Sequence, residues 1–149
     1  MKPVFQTRYG DPAGNCTEAA LASLLECSLD EVPDLWVLAG SPTEPGGRSA
    51  PEAPCWRVAL DTWLAERGLA WVDLTGAVTE WWLPEGVNVL AFGPAKANGV
   101  AHCVVMRVRW TGRDPSGACT GLELELAHDP HEGWDGIAEI RGLSLLVRR

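Results

Sequence analysis

Apolar periodicity along this 149-residue chain predicts an α+β fold, with an antiparallel sheet packed against an N-terminal helix. Three observations predict it. Helical spacing occupies the first half of the chain and short extended runs occupy the second. A Gly-Arg-Asp-Pro-Ser-Gly stretch at 112–117 separates two apolar runs as the loop of a hairpin would. Helices first and strands afterwards is the order expected of α+β architecture. The length suits a single domain over residues 1–149 with a core of its own.

The first helix begins at Gly14-Asn15-Cys16-Thr17-Glu18. Asn15 is expected to cap it and Glu18 to reach back in a capping box, with Leu21, Leu24 and Leu25 forming the apolar stripe. Cys16 then lies in the first turn, where unpaired N–H groups and the helix dipole favour thiolate over thiol. Ser28 to Pro33 predicts a single turn, because Pro33 follows too soon for a long helix. Residues 34 to 39 are apolar enough to pack. Gly40 to Pro54 is rich in Gly, Pro, Ser and Ala, and predicts a lid or substrate-binding loop bordering Cys16. Trp56, Leu60, Trp63 and Leu64 recur at helical spacing and Gly68 stands at the stop position, so Cys55 to Arg67 reads as the second helix. Strands are expected at Leu69–Leu74, Val87–Phe92, Val100–Trp110, Leu122–Ala127 and within Ile137–Val147.

Composition narrows the function. Twelve Lys and Arg against 20 Asp and Glu leave a net charge of −8, with no basic run to track phosphates, so no nucleic-acid partner is expected. The first residues lack an apolar signal region and no stretch has the length of a membrane span, which predicts a soluble, cytoplasmic chain with no membrane partner. Five cysteines without a Cys-x-x-Cys pair read as free thiols. Eight tryptophans, among them Trp81, Trp82 and Trp134, fit either core packing or a binding cleft walled by indoles. The sequence does not set an oligomeric state.

All three histidines lie beyond residue 100. With Trp110 opposite Gly121, His102 faces Asp129 across the hairpin. Pairing one residue over instead puts Leu122, Leu124 and Leu126 on the face of Val104, Met106 and Val108, and both arrangements hold together only if a bulge lies between Leu126 and Asp129. An aspartate orienting a histidine that activates a thiol is a general nucleophile, base and orienter set. A metal site from His102, His128, His131 and Cys103 or Asp129 is the competing use of these side chains; it fits zinc ligand types but not zinc spacing, so no metal and no cofactor are expected. His131 reads as a solvated turn residue and Cys103, next to His102 in a strand, as core.

The stretches Gly14-Asn15-Cys16 through Leu25, Glu31-Val32-Pro33, Ala101-His102-Cys103-Val104-Val105 and His128-Asp129-Pro130-His131 resemble a group of bacterial and phage papain-like proteins related to the C39-type cysteine peptidases. The resemblance implies a papain-like fold, with Cys16 as nucleophile, His102 as general base and Asp129 as its orienting residue. It also matches Gln6 to the glutamine that donates to the oxyanion in papain-like enzymes, at a longer separation from the cysteine than is usual there. The function expected is a thiol hydrolase, a cysteine peptidase or amidase, acting on an amide or isopeptide bond of a peptide or protein substrate. The alternative is a catalytically silent binding module, encoded by a phage or mobile element, that engages a host protein.

Overall fold

The computed structural model describes residues 1–10, 14–38, 56–74, 83–117 and 119–149. The expected lid at Gly40 to Pro54 and the Trp81-Trp82 pair lie outside these residues. Helix α1 spans Cys16–Leu25, a 3-10 turn Leu29–Glu31, α2 Leu35–Leu38 and α3 Trp56–Glu66. Strands β1 (Leu69–Asp73), β2 (Asn88–Pro94), β3 (Ala101–Arg113), β4 (Cys119–His128) and β5 (Gly142–Arg148) form one sheet in the order β1-β5-β2-β3-β4. Every neighbouring pair is antiparallel, so the α+β expectation holds.

Local chemistry accounts for the helix ends. Ser28 donates both its backbone N–H and its hydroxyl to Glu31, at 2.8 Å each, closing the predicted single turn. Asp34 Oδ1 accepts the N–H groups of Trp36 and Val37 at the start of α2. Gly68, at φ +68°, ends α3 and turns the chain into β1.

The core has two layers. On one face of the sheet Trp71, Leu90, Cys103 and Val105 pack against Ala20 and Leu21 of α1 and Leu60 and Leu64 of α3. On the other, Val89, Ala91, Val104 and Val108 pack with Leu143 and Ile137. Strand β2 and the first part of β3 are therefore buried on both sides, which is why Val104-Val105 breaks the polar alternation that β3 shows from Arg107 onwards. Burial of a leucine such as Leu64, which is fully enclosed, contributes ~1.5–3 kcal/mol.

The hairpin adopts the leucine-matched register. Trp110 pairs with Leu122, not Gly121, and Met106 with Leu126, so the three leucines of β4 share a face with Met106, Val108 and Trp110. Val105 then pairs with His128, leaving Ala127 as the extra residue of a bulge. This lies between Leu126 and Asp129, where the phase conflict in the sequence required one. The reason is burial: apolar side chains fix the ladder as far as Leu126, and the bulge resets the phase for His128 and Asp129.

Candidate active site

Three segments converge at one end of the sheet. The first turn of α1 lies against the start of β3, where Thr17 is close to the Cys103 thiol and Cys16 to the ring of His102, the four lining one cleft. Cys103 is 1 % exposed, and burial pushes its thiol well above the ordinary range, as expected of a core cysteine.

Asn15 precedes the helix, but its side chain makes no cap bond to α1, correcting the expected capping box. Its Oδ1 instead accepts the N–H groups of Thr7 and Arg8, each at 3.0 Å, while its amide donates to the Thr7 hydroxyl at 3.1 Å. Glu18 is likewise engaged elsewhere: buried, it accepts the Leu35 N–H at 3.1 Å and lies 3.7 Å from the Arg8 guanidinium. Burial raises its carboxyl above the usual range, against the pull of these partners. The long-range partners win because residues 7, 8 and 35 carry N–H groups that find their acceptors at this part-buried joint. The tight turn into α1 depends on Gly14, since a Cβ there would stand 2.7 Å from the Gly10 carbonyl oxygen.

His102 is the second residue of β3. Its Nε2 lies 2.7 Å from Asp129 Oδ1, with both side chains almost wholly buried. The Asp129 carboxylate takes two further bonds, from the His131 N–H at 2.8 Å and the Gly136 N–H at 2.9 Å. Burial acts to raise its carboxyl, but the bond from His102 and the two backbone N–H groups outweigh it and hold the group below the ordinary value. Asp129 is thus ionised at neutral pH and acts only as an acceptor, so His102 Nε2–H donates to it. Burial acts to lower the imidazole, but the hydrogen bonds to Asp129 and Cys16 prevail and push His102 up to about 9. At neutral pH the ring is therefore an imidazolium, with Nδ1 left for the sulfur of Cys16.

Trp134 covers this ring. Its indole meets His102 edge to face at 5.1 Å and stacks on His131 at 3.7 Å, while Tyr9 packs edgewise on His131 at 4.9 Å. His131 is thereby an aromatic support as well as a turn residue. His128 is structural, with its ring nitrogen bonded to the Val4 carbonyl at 2.9 Å. Among the described residues no three His, Cys, Asp or Glu side chains converge as metal ligands would.

Gln6 is buried between the two halves of the site. Its N–H donates to the Pro130 carbonyl at 2.9 Å, one residue past Asp129, and the next residue bonds Asn15, one residue before Cys16. Its side-chain oxygen is enclosed without a partner among the described residues. Sequence reasoning missed the grip of Asn15 on residues 7–8, the Gly136 N–H that steadies Asp129, and the placement of Trp134. The proline and glycines of 130–136 signal a turn, but not which N–H it presents.

A cleft of about 840 Å³ opens at Cys16, Thr17 and His102 and extends to Arg57, Trp71 and Ser144 on the far side. Two indoles thus border the site, Trp134 on the histidine and Trp71 along the cleft. Among the described residues, no helix is long and apolar enough to cross a membrane. Compared with family models, curated proteins and solved structures, the chain matches none of them.

Proposed function

We propose that the chain is a papain-like thiol hydrolase that cleaves an amide or isopeptide bond in a peptide or protein substrate. One observation carries this reading: a cysteine in the first turn of a helix lies beside a histidine at the start of a sheet strand, and that histidine is bonded at 2.7 Å to a buried aspartate, in the order Cys16, His102, Asp129. In this mechanism the Cys16 sulfur attacks the substrate carbonyl carbon and the developing oxyanion is held by the Cys16 backbone N–H and the Gln6 side-chain amide. His102, an imidazolium kept in orientation by Asp129, gives its proton to the departing amine as the C–N bond breaks. The acyl group remains on Cys16 as a thioester. His102, now neutral, takes a proton from the water that attacks the thioester; as the C–S bond breaks the sulfur of Cys16 leaves with its electron pair, the acid product departs and His102 is again the imidazolium.

The test is site-resolved alkylation. With iodoacetamide at neutral pH, Cys16 is expected to react at least tenfold faster than the other four cysteines, and His102→Ala to remove most of that advantage while leaving the circular dichroism spectrum unchanged. Even labelling across accessible cysteines, or a rate indifferent to His102, removes the catalytic reading and leaves the binding module.

A further inference from the structure

The far end of the cleft holds groups that the chemistry above does not use. Trp71, on β1, is 9 % exposed, lines the cleft, and its indole N–H has no acceptor among the described residues. A buried donor without a partner is unfavourable, and a ligand acceptor would recover that loss. Over the same ring stands the Arg57 guanidinium, 5.1 Å from its centre, held by Asp61 through Nε and by the Trp71 carbonyl through Nη2. Ser144 is a buried hydroxyl on the adjoining strand, and Arg141 brings a second guanidinium to the lining, paired with Glu139. Asp73 is the one carboxylate among the described lining residues; it is exposed and already engaged in an interaction. In a chain of net charge −8, this cleft wall combines two guanidiniums with an unmatched indole donor.

Direction comes from the proton. His102 serves the leaving amine, so the leaving side of a substrate lies on the β3 bank and the acyl side runs away from it, past Cys16 towards β1. From β3 to β1 is three strand spacings, about 14 Å at ~4.8 Å each, or roughly four residues of extended peptide at ~3.3 Å each. Phe92, on the intervening β2, supplies an apolar floor on the way and packs against Trp71 with ring centres 6.1 Å apart.

The geometry points to a specificity subsite at Arg57 and Trp71 for an acidic side chain on the acyl side of the substrate, about three to five residues before the bond that Cys16 attacks. The carboxylate meets the Arg57 guanidinium and the Trp71 N–H, which together form a charge-assisted pair of donors. This assignment of substrate class rests on the thiol-hydrolase reading for its direction, while the recognition itself needs no turnover.

The test uses N-acetyl polyalanine pentapeptide vinyl sulfones, in which Glu, Gln, Leu or Lys is walked from the second to the fifth residue before the electrophile. The rate of Cys16 modification is read by intact mass and peptide mapping. Glu at one position is expected to give about tenfold faster labelling than Leu at that position, with Gln between them and Lys slowest. In Arg57→Gln and in Trp71→Phe, which keeps the ring and removes the N–H, the Glu-to-Leu ratio should fall to within about twofold. Each ratio is internal to its variant, so a general loss of stability does not mimic the effect. Leu or Lys equalling Glu at every position overturns the subsite, as does an unchanged ratio in either variant. Should Cys16 prove inert to iodoacetamide and to every peptide, the hydrolase reading fails on its own. The corresponding unreactive peptide amides, titrated calorimetrically into Cys16→Ala, then decide the subsite by the same Glu-to-Leu ratio in affinity.

Discussion

Replacing Asp129 by Asn tests the buried pair at the centre of the site. The substitution keeps an oxygen for His102 and the His131 N–H, removes the charge, and turns an amide NH₂ towards the Gly136 N–H. His102 is lifted from 6.5 to about 9. At ~1.4 kcal/mol per unit that difference sets a ceiling of ~3 kcal/mol, and because Cys16 shares in the lift the part owed to Asp129 is ~1–2 kcal/mol. Because the folded value lies above the unfolded one, this stabilisation is whole below pH 6.5, shrinks as the pH rises, and is gone above about pH 9. The depressed carboxyl of Asp129 titrates below 3.8 and lies outside this window. Loss of the Gly136 bond adds ~1 kcal/mol at every pH. Urea denaturation of the two proteins at pH 6, 8 and 10 should therefore show a deficit of ~2–3 kcal/mol that narrows to ~1 kcal/mol. A deficit that is constant from pH 6 to 10 refutes the reasoning, since His102 would then not be the charge that Asp129 stabilises.

Deleting Ala127 should remove the bulge, turn Asp129 to the face away from His102 and return the imidazole to 6.5 or below; a histidine still titrating near 9 by NMR would contradict this. Trp134→Ala should expose the His102–Asp129 bond to water and slow Cys16 alkylation several-fold, read by the same labelling assay; an unchanged rate would make the indole a bystander. Gly93→Ala should cost more than ~3 kcal/mol or prevent folding, because a Cβ there would stand 1.9 Å from the Glu139 carbonyl oxygen, and a melting temperature near wild type would show that segment to be yielding.

Much of the fold was readable because burial writes itself into spacing. Leu60, Trp63 and Leu64 announce α3, and the doubly apolar run Val104-Val105 announces a strand covered on both faces. The hairpin shows where such reading stops. Leu122, Leu124 and Leu126 require one register and the pairing of His102 with Asp129 another, and only three-dimensional packing tells which residue bulges. The cap of α1 is hidden from the sequence for a related reason: Asn15 and Glu18 have the right types at the right spacing, yet distant N–H groups at 7, 8 and 35 compete for the same oxygens. Trp134 and Trp71 carry no local signal at all, since an indole's neighbour is set by the tertiary fold.

The strap formed by residues 4–8 bears on the life of the chain as it is made. Val4 and Gln6 are bonded to His128 and Pro130, while Thr7 and Arg8 are bonded to Asn15. On a growing polypeptide, then, Cys16 emerges long before either the ring or the carboxylate in line with it, and the strap has nothing to fasten to until residue 130 has cleared the ribosome. Such distant closures are slow to find. Until they form, Cys16 has no histidine beside it, and a half-made chain holds the three residues of the site apart.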